Sequence, residues 1–88
     1  MRIERRHTLG LAEARTRVEK MATALQQQFD LDSRWDGDRL RVSGNGVDGE
    51  LAVSDDTVNL DIRLGLALRF MEGSIRAAIE QEMDKQLS

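Results

Sequence analysis

The sequence predicts an α+β fold, a two-layer sandwich in which an antiparallel sheet meander carries two helices on one face, in the order β-α-β-β-β-β-α. Three patterns lead to this prediction. Apolar residues recur at helical spacing towards both ends of the chain, they alternate with polar residues in its middle, and Gly- and Asp-containing turns separate the alternating runs. Consecutive strands joined by tight turns are antiparallel neighbours, and amphipathic helices can cover one face of such a sheet while water covers the other.

The length of 88 residues predicts a single domain over residues 1–88. The composition, 40% hydrophobic and 33% charged, supplies enough apolar material for a core and is not typical of a disordered chain. Because the only aromatic residues are Phe29, Trp35 and Phe70, we expect an aliphatic core.

Residues 2–7 alternate weakly and predict a short first strand. A helix is predicted next, because a long series of apolar residues recurs at three- and four-residue spacing and shares one helix face. The series comprises Leu11, Ala14, Val18, Met21, Ala22, Leu25 and Phe29.

From residue 30 onwards the pattern is that of short strands. Three turns divide the region: Asp36-Gly37-Asp38, Gly44-Asn45-Gly46 and Asp55-Asp56. Between them lie runs with one apolar and one polar face, at residues 31–35, 39–42, 47–54 and 58–64. The last run is the clearest, since Val58, Leu60, Ile62 and Leu64 alternate with polar residues. We therefore expect a four-stranded meander in this region.

Residues 64–71 allow two interpretations. The alternation continues past Gly65, so the strand would run on through a glycine bulge; in the alternative, the last helix starts near Leu66. We favour a strand that ends within residues 64–68 and a helix from about Glu72 to Leu87. The apolar stripe of that helix is formed by Ile75, Ala78, Ile79, Met83 and Leu87.

The residues predict no catalytic, cofactor-binding or metal-binding site, so we expect a protein without cofactors that is not an enzyme. There is no cysteine, which excludes thiolate chemistry. The single histidine, His7, has no orienting partner close in sequence, which favours a structural or surface role over general-base catalysis. The acids of the middle region do not fit a calcium loop, because Arg34 and Trp35 stand where ligands or small residues are needed.

Charge is unevenly distributed along the chain, although the net charge is only −3. Residues 1–20 carry six basic and three acidic side chains, whereas residues 30–61 carry three basic and nine acidic ones. We expect the basic start and the acidic middle to lie side by side. An acidic chain of this kind is not expected to bind nucleic acid. No apolar run is long enough to span a membrane and no secretory signal is visible, so we expect a cytoplasmic protein.

Two features predict an interaction surface. Trp35 ends a strand beside a polar turn; we favour a ring folded over the edge of the core, with a binding anchor as the alternative. The stretch 64–71 is apolar on both faces and includes Leu66, Leu68, Phe70 and Met71. We expect the last helix to cover it, and the alternatives are a second subunit, which would make a homodimer, or a hydrophobic partner surface.

Several motifs occur in an order and spacing that resemble one protein family. They are His7-Thr8-Leu9 leading into Ala12-Glu13-Ala14, Trp35-Asp36-Gly37-Asp38, Gly46-Val47-Asp48-Gly49, and Leu64-Gly65 followed by an apolar run. Together they resemble the polyhydroxyalkanoic acid system proteins, a family of short bacterial chains, over nearly the whole sequence. The chain departs from that pattern at Gly10, where a serine or threonine cap is expected, and around Glu72-Gly73, which lacks basic character.

The resemblance implies a link to polyhydroxyalkanoate (PHA) storage granules, at their surface or in their regulation. It implies no enzyme activity, no cofactor and no catalytic residues. We therefore expect an interaction or regulatory module that contacts the granule surface or a granule-associated protein. The alternatives are a domain that binds a small hydrophobic ligand, such as an acyl chain or hydroxyacid, and a homodimeric structural module.

Overall fold

The computed structural model describes residues 1–87. Its elements are β1 (Arg2–Arg6), α1 (Gly10–Phe29), β2 (Asp32–Asp36), β3 (Arg39–Gly44), β4 (Val47–Val53), β5 (Thr57–Leu64), a 3-10 helix (Leu66–Met71) and α2 (Glu72–Leu87). The predicted α+β class and the order β-α-β-β-β-β-α are confirmed.

The five strands form one antiparallel sheet in the order β1-β5-β4-β3-β2. After β1 the chain leaves through α1, whose 20 residues extend about 30 Å at about 1.5 Å per residue. This length is sufficient to reach the far edge of the sheet, which lies about 19 Å away at about 4.8 Å per strand. The meander then returns from that edge, so the last strand of the meander lies beside β1.

One face of the sheet and both helices enclose the core. Across the sheet, Ile3, Leu60, Leu51 and Leu40 lie directly opposite one another on neighbouring strands, and Trp35 ends this row at the β2 edge. The helices contribute Val18 and Met21 from α1 and Met83 from α2, all fully buried, among other residues. The apolar residues that recur at helical spacing and those that alternate along the strands therefore pack together in a single aliphatic core.

His7 stabilises the connection between β1 and α1 through its hydrogen bonds. Its side chain is buried, its Nδ1 accepts a hydrogen bond from the Leu9 backbone N–H at 3.1 Å, and its Nε2 lies 3.2 Å from the carbonyl oxygen of Ser54. Its own backbone N–H donates to the carbonyl of Asp56 at 2.9 Å. Because the N-cap residue Leu9 has no side chain able to cap α1, His7 supplies the acceptor that the helix start lacks.

The last strand, β5, ends at Leu64, within the predicted range of residues 64–68, and does not run on through a glycine bulge. Leu64 lies opposite Val47, the first residue of β4, so no neighbouring strand remains on that side for a further residue. The backbone turns instead: the Gly65 N–H donates to the carbonyl of Gly46 at 2.8 Å, and the Leu68 N–H donates to the carbonyl of Gly65 at 2.9 Å. The following helix begins at Glu72, as predicted.

Candidate functional site

The 3-10 helix Leu66–Met71, named the apolar segment below, exposes large hydrophobic side chains. Leu66 is 82% exposed, Phe70 is 85% exposed and Met71 is 38% exposed. A 3-10 helix has about three residues per turn, so Leu68 and Met71 share one side and the remaining residues occupy the other two. Leu68 is half-buried against the core, whereas Leu66 and Phe70 point into solvent.

The expectation that the last helix covers this stretch is wrong for Leu66 and Phe70. The helix α2 continues directly from the apolar segment at Glu72. Its buried residues, which include Ile75 and Ile79, are committed to the core. A helix that follows without an intervening loop cannot fold back over the segment that precedes it, so these two side chains have no intramolecular cover.

The apolar segment lies at one end of the sheet, beside the turn between β3 and β4. A β-carbon on Gly46 would lie 3.3 Å from Cδ1 of Leu68, so glycine allows the turn to approach the segment closely. The C-terminal end of α1 is also here, since the Asn45 side-chain amide donates to the carbonyl of Asp30 at 3.2 Å. We call this end, formed by the apolar segment, the 44–46 turn and residue 30, the apolar end.

The opposite end of the sheet is acidic. It carries the β2–β3 turn with Asp36 and Asp38 and the β4–β5 turn with Asp55 and Asp56, and all four carboxylates are on exposed residues. The Val53 N–H donates to the carbonyl of Asp38 at 2.9 Å, which places the two turns side by side. We call this the acidic end. The molecule therefore exposes large hydrophobic side chains at one end of the sheet and four turn aspartates at the other, and Asp30 is a further exposed carboxylate at the apolar end.

Trp35 lies apart from the apolar segment. It is half-buried on the edge strand β2, and the guanidinium carbon of Arg15 lies 4.3 Å from the centre of its ring. Arg15 also reaches Asp38, with 3.4 Å between nitrogen and oxygen. Two strands, β3 and β4, separate β2 from β5, so the structure brings Leu66, Leu68, Phe70 and Met71 together and leaves Trp35 elsewhere. The ring lies over the core edge, as favoured, and Arg15 is a partner that no local sequence pattern indicates.

The open face of the sheet, turned away from the helices, is almost entirely charged. Arginines and carboxylates alternate across it; for example, Arg2 lies opposite Asp61, and Arg39 pairs with Glu50 at 2.6 Å. The Arg2–Asp61 position agrees with the expectation that the basic start and the acidic middle lie side by side. A shallow depression of about 540 Å³ lies on this face, and charges of both signs line it. Because the signs balance, the depression does not select for a cation or an anion.

A small apolar crevice lies between the two helices and the sheet. Its volume is about 30 Å³, and its lining includes Leu25 and Phe29 of α1, Leu51 and Ile62 of the sheet, and Ile75 of α2. This is where a ligand between helix and sheet would have to enter.

Residues 1–87 contain neither a metal-binding cluster nor a helix that could cross a membrane. No three His, Asp or Glu side chains of this part of the chain are close enough together to hold a metal ion. None of the helices described for these residues combines the length and the hydrophobicity that crossing a membrane requires.

Comparison with known proteins identifies a family for this chain. One family model matches residues 1–87, and its description is "putative polyhydroxyalkanoic acid system protein". No curated protein and no solved structure matches the chain. The matched range includes the whole sheet, both helices and the apolar segment. The chain therefore belongs to the family of polyhydroxyalkanoic acid system proteins.

Proposed function

We propose that this protein is a non-enzymatic interaction or regulatory module of the PHA storage system, and that it acts at or near the storage granule. The observation that carries the proposal is the exposure of Leu66 and Phe70 in a chain of this family. A storage polyester offers an apolar surface, and these two side chains are the most exposed large hydrophobic groups among residues 1–87.

The energetics of the apolar segment are adequate for such a contact. Leu66, Phe70 and the exposed part of Met71 offer roughly 400 Å², which is the size of a functional patch on a small monomer. At about 25 cal/mol per Å², burial of this area contributes roughly 10 kcal/mol before the loss of rotational and translational freedom is subtracted. Because association itself costs about 4 kcal/mol or more, at most about 6 kcal/mol remains, which corresponds to weak, reversible binding.

The crevice between helices and sheet favours the interaction module over a carrier of small hydrophobic ligands. Pockets for ligands of that kind usually enclose about 300–1,000 Å³, whereas the crevice holds about 30 Å³. An acyl chain would have to separate α1 from α2 before it could enter.

Fluorescence microscopy in a bacterium that accumulates PHA tests the proposal. The tag belongs at the C-terminus, because the Met1 amine donates to the carbonyl of Ile62 at 2.8 Å and helps to hold the strand edge. We expect the tagged chain to follow the granules and to spread through the cell when no polymer is made. A diffuse distribution in cells that contain granules would contradict the proposal.

A matched pair of variants assigns the localisation to the apolar segment. Leu66→Asp combined with Phe70→Asp places charges on the exposed side chains and should abolish localisation to the granules. Ala12→Asp adds an exposed charge in the first turn of α1 and should leave localisation unchanged.

A further inference from the structure

We infer that the apolar segment inserts directly into the polyester surface and holds the chain end-on, with the acidic end towards water. The inference rests on the proposed function and adds to it the identity of the contacted partner, which is the polymer itself and not a coating protein or a second copy of this chain. Three features of the apolar end support it.

The first feature is shape. Leu66 and Phe70 project from a short convex helix, on sides that lie at an angle to each other. A folded protein partner would need a pocket that fits these two side chains, whereas a deformable apolar polymer can adapt its surface to them. Gly73, just beyond the segment, has no side chain that would hold it away from a surface, and a β-carbon there would meet nothing within 4 Å.

The second feature is area. A stable pair of subunits usually buries about 800 Å² on each partner, and the apolar segment offers about half of that, roughly 400 Å². The shortfall argues against a self-contained homodimer through this segment. A polymer surface has no such threshold, because each chain is held independently by the area that it inserts.

The third feature is the position of the charges. Within the apolar segment the only charged residue is Arg69, which is exposed, and its long aliphatic stem allows the guanidinium to remain in water while its neighbours are buried. The aspartates of the acidic end lie at the other end of the sheet. End-on insertion through Leu66 and Phe70 therefore leaves these aspartates in water, and it requires the exposed carboxylates of Asp30 and Glu72 beside the apolar segment to stay at the rim of the contact. Contact through the open face of the sheet would instead desolvate many charges at once.

Site-specific fluorescence tests the insertion and the orientation together. Because the chain has no cysteine, Ala67→Cys in the apolar segment and Asp55→Cys at the acidic end each give a single labelling site, and both residues are exposed. Each purified variant carries an environment-sensitive fluorophore and is mixed with bare polyester particles, with neutral acrylamide as the aqueous quencher. We expect the label at 67 to shift to shorter wavelength and to lose most of its quenching, while the label at 55 keeps its quenching.

Three results would overturn the inference. The first is that adding particles leaves the quenching of both labels unchanged. The second is that the label at 55 becomes shielded from the quencher. The third is that the protein associates with phosphatidylcholine vesicles but not with polyester. Addition of Phe70→Asp to the labelled chain should lower the affinity for particles about tenfold to a hundredfold, as expected for the loss of one buried aromatic side chain. Localisation to granules in cells without binding to bare particles would contradict direct insertion and leave the proposed function in place.

Discussion

At the scale of single residues, His7 and Gly49 show how contacts between residues far apart in the chain hold the fold together. His7 accepts from the N–H of Leu9 and lies against the carbonyl of Ser54, so one ring joins the start of α1 to the β4–β5 turn. The sequence indicated only that this histidine lacked a catalytic partner. Its contact with Ser54 could not be predicted, because that residue lies 47 positions away along the chain.

Replacement of His7 should weaken the fold. His7→Ala leaves the Leu9 N–H without its acceptor and should lower the free energy of unfolding by about 1–3 kcal/mol. His7→Asn places an amide oxygen near the position of Nδ1, so its free energy of unfolding should fall by less than that of His7→Ala. Urea denaturation followed by the helical circular dichroism measures both, and equal losses for the two variants would show that the Leu9 contact is unimportant.

Gly49 is required by close packing. It lies in β4 opposite Ile62, and a β-carbon there would be 2.9 Å from Cγ1 of Ile62 and 3.0 Å from the carbonyl oxygen of Asp61. The absent side chain lets neighbouring aliphatic groups close over the strand. The sequence places this glycine within the predicted run 47–54 but does not indicate how closely Ile62 and Asp61 approach it.

Gly49→Ala should reduce stability by about 1–3 kcal/mol, because the backbone carbonyl cannot move aside cheaply. Gly73→Ala is the matched control: a β-carbon there meets nothing within 4 Å, and alanine is the better helix former by up to about 1 kcal/mol. Thermal unfolding of the two variants should therefore shift in opposite directions. A shift in the same direction would contradict the packing account.

At the scale of elements, the apolar segment separates what a sequence pattern can indicate from what it cannot. The strands and helices were predictable because their alternating and helical periods reflect burial on one side. Leu64, Leu66, Leu68 and Phe70 have the two-residue spacing of a strand. The pairing between β5 and β4 nevertheless ends at Leu64, because its partner Val47 is the first residue of β4 and no residue of β4 remains to pair with residue 65. The rule that apolar residues are buried also fails here, and it fails at the surface that we assign to binding.

Aspartate substitutions should distinguish core from surface at this scale. Leu60→Asp should unfold the domain, because Leu60 is 2% exposed and a buried unpaired charge costs several kcal/mol. Leu66→Asp should change stability by no more than about 0.5 kcal/mol, since that side chain already lies in water. Circular dichroism and thermal melting report both outcomes, and unfolding by Leu66→Asp would mean that the apolar segment is part of the core.

At the scale of the whole molecule, long-range topology gives the protein its two ends. The pairing of β1 with β5 joins residues such as Arg2 and Asp61. It was not predictable, because an alternating pattern indicates that a segment is a strand but not which other strand it pairs with. The same topology collects the 44–46 turn and the apolar segment at one end and the aspartate turns at the other. The exposed apolar side chains and the four turn aspartates thus lie at opposite ends of the sheet, with Asp30 remaining beside the apolar segment.

In the proposed function, the apolar segment attaches the folded chain to polyester. The most direct test is co-sedimentation of purified protein with bare polyester particles, performed in parallel for the wild type and for Leu66→Asp combined with Phe70→Asp, with the melting temperature of each measured alongside. We predict that the wild type sediments with the particles and that the variant stays in solution with an unchanged melting temperature. Equal sedimentation of the two proteins would contradict the account.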